Sequence, residues 1–174
     1  VIVGGAEIRT YDRVKRYFRA DDFFIYCDCG LRHQAGLGAE PDLIVGDFDS
    51  HEKPETDKET IVLPVRKDDT DTVFAVKEAL RRGFDEFLLV GVSGGRMDHT
   101  LVNVYLLVML REQGKRALLL DDYSEMELIG AEQTLVQRAK TPEVAQRLLR
   151  LIASWEARAA AIGEDIRTIN PIPE

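Results

Sequence analysis

Short, continuous apolar runs separated by segments of helical spacing constrain this chain more than any other feature. Val1-Ile2-Val3, Phe23-Phe24-Ile25-Tyr26-Cys27, Leu43-Ile44-Val45, Thr60-Ile61-Val62-Leu63, Phe87-Leu88-Leu89-Val90 and Ala117-Leu118-Leu119-Leu120 are of strand length and show no polar alternation. Strands without alternation are buried on both faces, as in a parallel sheet covered by helices. The intervening segments agree. Short helices fit near Tyr11 to Phe18 and Leu31 to Ala35. Residues 70–82 place Val73, Phe74, Val76 and Leu80 at helical spacing before Gly83, and Asp98 to Glu112 repeats Leu101, Tyr105 and Val108 before Gly114. The expected fold is α/β: a mostly parallel, Rossmann-like sheet with helices on both faces, over residues 1–130.

Beyond Gly130 the pattern changes. Thr141-Pro142-Glu143 is a helix start, with Thr as cap and Pro at the first helical position. Val144, Leu148, Leu151, Ile152, Trp155, Ala159 and Ile162 then form one apolar stripe, and Asn170-Pro171-Ile172-Pro173 reads as an extended tail. Residues 131–174 are therefore expected to be a helical appendage. Lys+Arg 23 against Asp+Glu 31 gives a net charge of −8, which argues against a nucleic-acid partner. The longest apolar stretch, Leu101 to Leu110, is too short for a bilayer and is interrupted by Asn103, so no membrane is expected. No basic-then-apolar leader precedes the first strand. Cys27 and Cys29 are too close in sequence for an easy disulfide. These features predict a reduced cytoplasmic protein.

Ligands of such sheets bind beyond the carboxyl ends of the strands. Three acidic groups fall there: Gly46-Asp47-Phe48-Asp49-Ser50, Lys67-Asp68-Asp69-Thr70-Asp71, and Gly94-Gly95-Arg96-Met97-Asp98-His99. Two carboxylates about 4 Å apart repel by roughly 4 kcal/mol at an effective dielectric near 20 unless a cation lies between them. Mg²⁺, a hard ion held by carboxylates and substrate phosphates, is the simplest such cation. Asp47 and Asp49 each also fit a turn, and Ser50 fits either a cap or a phosphate contact. Around Thr70, Asp71 is the candidate ligand and Asp69 the candidate cap. Backbone N–H groups after Gly94-Gly95, with Arg96, suit a phosphate. Asp98 fits both a helix cap and the site. His99 reads as a supporting or packing residue, and His33 and His51 carry no signal.

Asp28-x-Gly30, Pro41-Asp42-x4-Gly46-Asp47-Phe48-Asp49-Ser50, Asp69-Thr70-Asp71 and Gly94-Gly95-Arg96-x-Asp98-His99-Thr100 together resemble the thiamine pyrophosphokinase family, from Val1 to about Ile129. The resemblance implies transfer of diphosphate from ATP to the thiamine hydroxyl, giving thiamine diphosphate and AMP. It implies Mg²⁺ on Asp47, Asp49 and Asp71, with Asp98 among the catalytic carboxylates. It further implies Ser50, Thr70, Gly94, Gly95 and Arg96 around the nucleotide, Asp28 at the edge of the site, and a homodimer. Two departures stand out. Family members have Asp-Gly-Gly where this chain has Asp28-Cys29-Gly30, so a side chain is expected to crowd a backbone that approaches the ligand. They also continue into a β-rich domain that completes the thiamine pocket, and residues 131–174 do not resemble it. Two other readings stay open: a nucleotide-binding module without catalysis, and a phosphohydrolase using Asp47 as nucleophile.

Overall fold

The apolar runs assemble into one seven-stranded sheet. In the computed structural model, which describes residues 1–48, 55–65 and 69–128, the strands are β1 (Ile2–Val3), β2 (Ile25–Cys27), β3 (Leu43–Gly46), β4 (Glu59–Val62), β5 (Glu86–Val90), β6 (Arg116–Leu120) and β7 (Glu125–Glu127). Their spatial order is β4-β3-β2-β1-β5-β6-β7. β1 to β6 are parallel: Ile2 pairs with Ile25 on one side and Leu89 on the other, and Val90 pairs with Leu120. β7 was not anticipated. It is an antiparallel edge strand on β6, and its three residues, Glu-Met-Glu, are all exposed. An edge strand facing solvent has no continuous apolar run by which to be recognised.

Alternate strand residues go to opposite faces, and both faces are covered. Ile2, Ile25, Cys27, Leu43, Val45, Leu89 and Leu119 pack with helices α3 (Asp71–Arg81) and α4 (Met97–Glu112). Val3, Tyr26, Val90 and Leu120 pack on the other side with Val14 of α1 (Tyr11–Lys15) and Leu37 of α2 (Gln34–Leu37). This two-sided burial is what removed polar alternation from the sequence. At the amino end of β2, the motif residue Asp42 is structural: its Oδ2 accepts from the Phe24 N–H at 2.8 Å.

Local details depart from the sequence expectation in three places. β2 stops at Cys27, and Asp28–His33 turns into a 3₁₀ helix, so the strand does not persist through Cys29. Thr70, not Asp69, caps α3: its Oγ1 accepts from the Val73 N–H at 3.3 Å, while Asp69 pairs with Lys77 at 2.6 Å. Finally, the repeat used to phase α4 lies on its outer face. Leu101 and Tyr105 are 62% and 64% exposed, whereas Asn103, Leu106, Leu107 and Leu110 are buried. α4 is apolar on nearly every side, so spacing alone does not identify the face that packs.

Candidate active site

The chain leaves β1 through Gly4-Gly5 and β5 through Gly91, side by side at the point where successive connections pass to opposite faces of the sheet. Gly4 N–H donates to Val90 O and Ala6 N–H to Gly91 O, both at 2.8 Å. A Cβ on Gly4 would lie 2.5 Å from Gly91 O, so only glycine permits this approach. A cleft of about 330 Å³ opens here, bounded by the turns after β1, β2 and β5 and by the start of α3.

Three carboxylates converge beside it. Asp28 follows β2, Asp47 follows β3, and Asp71 is the first residue of α3. One oxygen from each lies within 4.8 Å of the others, and all three residues are half-buried. The backbone is bent to achieve this: Asp28 and Phe48 have φ of 34° and 52°, the two non-glycine residues with positive φ among those described. Such outliers cluster at ligand sites because the surrounding structure must hold them in place. Gly46 has a second use besides the turn, since a Cβ there would come 3.0 Å from the Asp28 Cβ. Oδ2 of Asp28 accepts from the Cys29 thiol at 3.2 Å, whereas its Oδ1 is buried and meets no hydrogen-bond donor among the described residues.

Of the residues singled out in the sequence, Asp47 and Asp71 are thus brought together, and Asp28 joins them rather than lying at the rim. Thr70 and Asp71 line the cleft, as do Gly94, Gly95 and Arg96. Asp49, Ser50 and Asp68 lie outside the described residues. The donor set suits a hard divalent cation: three carboxylates, one with an oxygen that lacks a donor.

On the opposite wall, Gly94 and Gly95 have φ of 93° and 68° with open space where a Cβ would stand, so their requirement is conformational. Thr100 Oγ1 accepts from Gly94 N–H and donates to Arg96 O, both at 3.1 Å, tying this loop to the first turn of α4. Arg96 is the residue before α4. Its guanidinium holds Asp98 through Nε at 3.2 Å and Nη2 at 2.5 Å, and both side chains are well exposed. Asp98 lies in the first turn of α4 rather than at its cap position, which Arg96 holds. The Arg96 hydrogen bonds, above all, hold its carboxyl down to about 2, which makes it a weak base.

Sequence reasoning gave no role to two residues here. His33 is buried, with Nε2 2.8 Å from Ala6 O and Nδ1 2.9 Å from the Tyr11 hydroxyl. It buttresses the turn after β1, and burial lowers its pKa. Asn103 lines the cleft one helical turn beyond His99. A lone amide in an apolar run was its only signal. The departure at Cys29 is accommodated. Its φ is not positive, and its Cβ occupies the space over Gly5, where a Gly5 Cβ would approach to 2.5 Å.

The fold and the cleft define a doubly wound α/β protein with an acidic ligand site at the switch point of its sheet. Within that class the chain belongs to the thiamin pyrophosphokinase family, whose catalytic-domain model matches residues 14–119. It is similar to the thiamine pyrophosphokinase structure from Bacillus subtilis, with 26% identity and a TM-score of 0.62 over 72% of this chain and 62% of that one. The structure of a family protein from Enterococcus faecalis is 33% identical, with a TM-score of 0.55 over 69% of this chain and 60% of that one. For the enzyme from Geobacillus thermodenitrificans the values are 27% and 0.57, over 69% and 58%. The match therefore spans about three fifths of the length of these relatives. A second model, D-galactarate/altronate dehydratase C-terminal, matches residues 106–174. Its overlap with the first falls in α4 and β6, a helix and a strand of the α/β unit described above. No curated protein sequence matches the chain. Among the described residues, no helix is long and apolar enough to cross a membrane.

Proposed function

We propose that the chain is the nucleotide half of a diphosphotransferase that moves diphosphate from Mg-ATP to the hydroxyl of thiamine, releasing AMP. The observation that carries this is the convergence of Asp28, Asp47 and Asp71 within 4.8 Å, beside a cleft whose far wall carries a glycine loop and Arg96. Asp47 and Asp71, with Asp49 and with Asp28 added by the geometry, would hold Mg²⁺. When bound, that ion neutralises charge on the transferred group. The glycine-loop backbone and Arg96 bind the phosphate oxygens and hold the β-phosphorus in line with the incoming hydroxyl. The new bond joins the thiamine oxygen to the β-phosphorus, the bond to the α-phosphate oxygen breaks, and AMP leaves. Asp98 orients Arg96 as a rigid fork rather than taking the hydroxyl proton, because so weak a base gains little from accepting it. The proton passes to water.

Thiamine as acceptor and the homodimer rest on the family likeness. The cytoplasmic location rests on composition and the two thiols, and the division at residue 130 into a catalytic domain and a helical appendage on the change of sequence pattern there; residues 131–174 lie outside those described. AMP release from ATP and Mg²⁺, measured with and without thiamine, tests the reading. Thiamine-dependent AMP supports it. ATP binding without such release would select the nucleotide-binding module instead.

A further inference from the structure

Asn103 is 4% exposed, on the face of α4 that also carries His99 into the cleft. Its Nδ2 donates to Val92 O at 2.7 Å, the carbonyl just past the end of β5. This bond fixes the amide's orientation, since a carbonyl accepts only from the NH₂ side. The remaining atom, Oδ1, is buried and has no hydrogen-bond partner among the described residues. Its neighbours on the buried face, Leu106, Leu107 and Leu110, are all apolar. Packing alone would be served better by another apolar side chain at this position, because a buried acceptor left without a donor is costly.

We infer that Asn103 is a specificity-determining residue whose Oδ1 accepts a hydrogen bond from a neutral amine or hydroxyl of the bound substrate. The inference rests on the diphosphotransferase reading for the identity of the substrates. A carbonyl oxygen repels phosphate oxygens, so Oδ1 suits a donor group rather than a phosphate, while one of the two N–H donors of Asn103 is held by Val92. The cleft therefore divides its work. Arg96 and the glycine loop take the anionic part of a ligand, and Asn103 takes a part that carries N–H or O–H. Three groups offer this chemistry: the ribose hydroxyls, the adenine amino group and the aminopyrimidine of thiamine.

The test measures equilibrium binding of the full chain by calorimetry with Mg²⁺ present. The nucleotide arm compares ATP with 2′-deoxy-ATP, 3′-deoxy-ATP and purine riboside triphosphate, which lacks the amino group. The acceptor arm compares thiamine with its analogue lacking the pyrimidine amino group. One of these deletions should weaken binding to the parent about tenfold, and Asn103→Leu should erase that difference by binding the full and deleted ligands alike. Asn103→Ser serves the same comparison if the Leu variant does not fold. A parent that binds a substrate yet discriminates against none of the deletions overturns the inference without any variant, as does discrimination that survives the substitution. A parent that binds neither ATP nor thiamine overturns the diphosphotransferase reading, and this inference with it.

Discussion

Helix α3 carries acidic side chains toward both of its ends, and their surroundings differ. At its start, Asp71 comes within 4.8 Å of two further acids, Asp28 and Asp47. Two turns later Glu78, almost as buried as the core, meets cations. Its Oε2 accepts from Arg81 Nε at 2.8 Å, its Oε1 from Arg81 Nη2 at 2.7 Å and Arg82 Nε at 2.8 Å. Arg82 continues to Glu59 on β4 and stands 5.6 Å from the centre of the Phe23 ring. Glu78 is a carboxylate with both oxygens satisfied by the protein, and the Arg81 bonds hold it down to about 2. Asp28 keeps one buried oxygen that no described donor reaches. Charge neutralised within the fold stabilises the fold. Charge gathered and left partly unsatisfied costs stability, and it persists where a ligand repays that cost.

If that contrast is sound, the largest effect comes from the acidic end. Asp28→Asn, Asp47→Asn and Asp71→Asn should each reduce Mg-ATP turnover about 100-fold or more. The same variants should melt no lower than the parent in metal-free buffer, because each removes a repelling charge. Chelation should change their melting temperatures less than the parent's. Turnover like the parent's in all three variants would erase the distinction between the two ends.

The cationic end should behave in the opposite way. Glu78→Ala leaves Arg81 and part of Arg82 without an acceptor and should destabilise the protein by about 1–3 kcal/mol, read by denaturant unfolding. Its effect on Mg-ATP affinity should be small. The pH dependence has a definite sign. The Arg81 and Arg82 bonds hold the folded carboxyl down to about 2 from its ordinary 4.5, so its contribution is complete above about pH 5 and is lost as pH falls toward 2. The Glu78→Ala variant should lack that part of the acid-induced loss.

A smaller effect belongs to the far wall of the cleft. Arg96→Lys keeps the charge but not the planar fork that now holds Asp98. About a tenfold weaker affinity for Mg-ATP is expected. Full affinity would reduce Arg96 to a surface partner of Asp98. Smallest of all, Cys29→Gly should change stability by no more than about 1 kcal/mol, through backbone entropy. A large gain in ligand affinity from it would show that the thiol obstructs the cleft after all.

Much of this was readable because it is local. Burial on both faces leaves continuous apolar runs, and from these the parallel sheet followed. The Thr70 start and Gly83 stop of α3 came from residues within one turn of each end. Asp47 and Asp71 stood out because each sits where an element begins or ends. The cap itself was misassigned to Asp69, since Asp and Thr are both good caps and only the partner, Lys77 two turns on, decides between them.

What the tertiary structure decided depends on which strands are neighbours. Asp28 joins the acidic cluster only because β2 lies beside β3 and Gly46 leaves room for its side chain. The Asp122 carboxylate accepts from the Arg9 and Thr10 N–H groups at the start of α1 across more than 110 residues, a contact no local pattern announces. The inward face of α4, and with it Asn103, was fixed by packing against β6 and α3 rather than by the helix's own periodicity. Propensities and hydrophobic period act over a few residues and so determine the elements. The meeting of side chains from different elements is set by strand order and register, which few single residues encode.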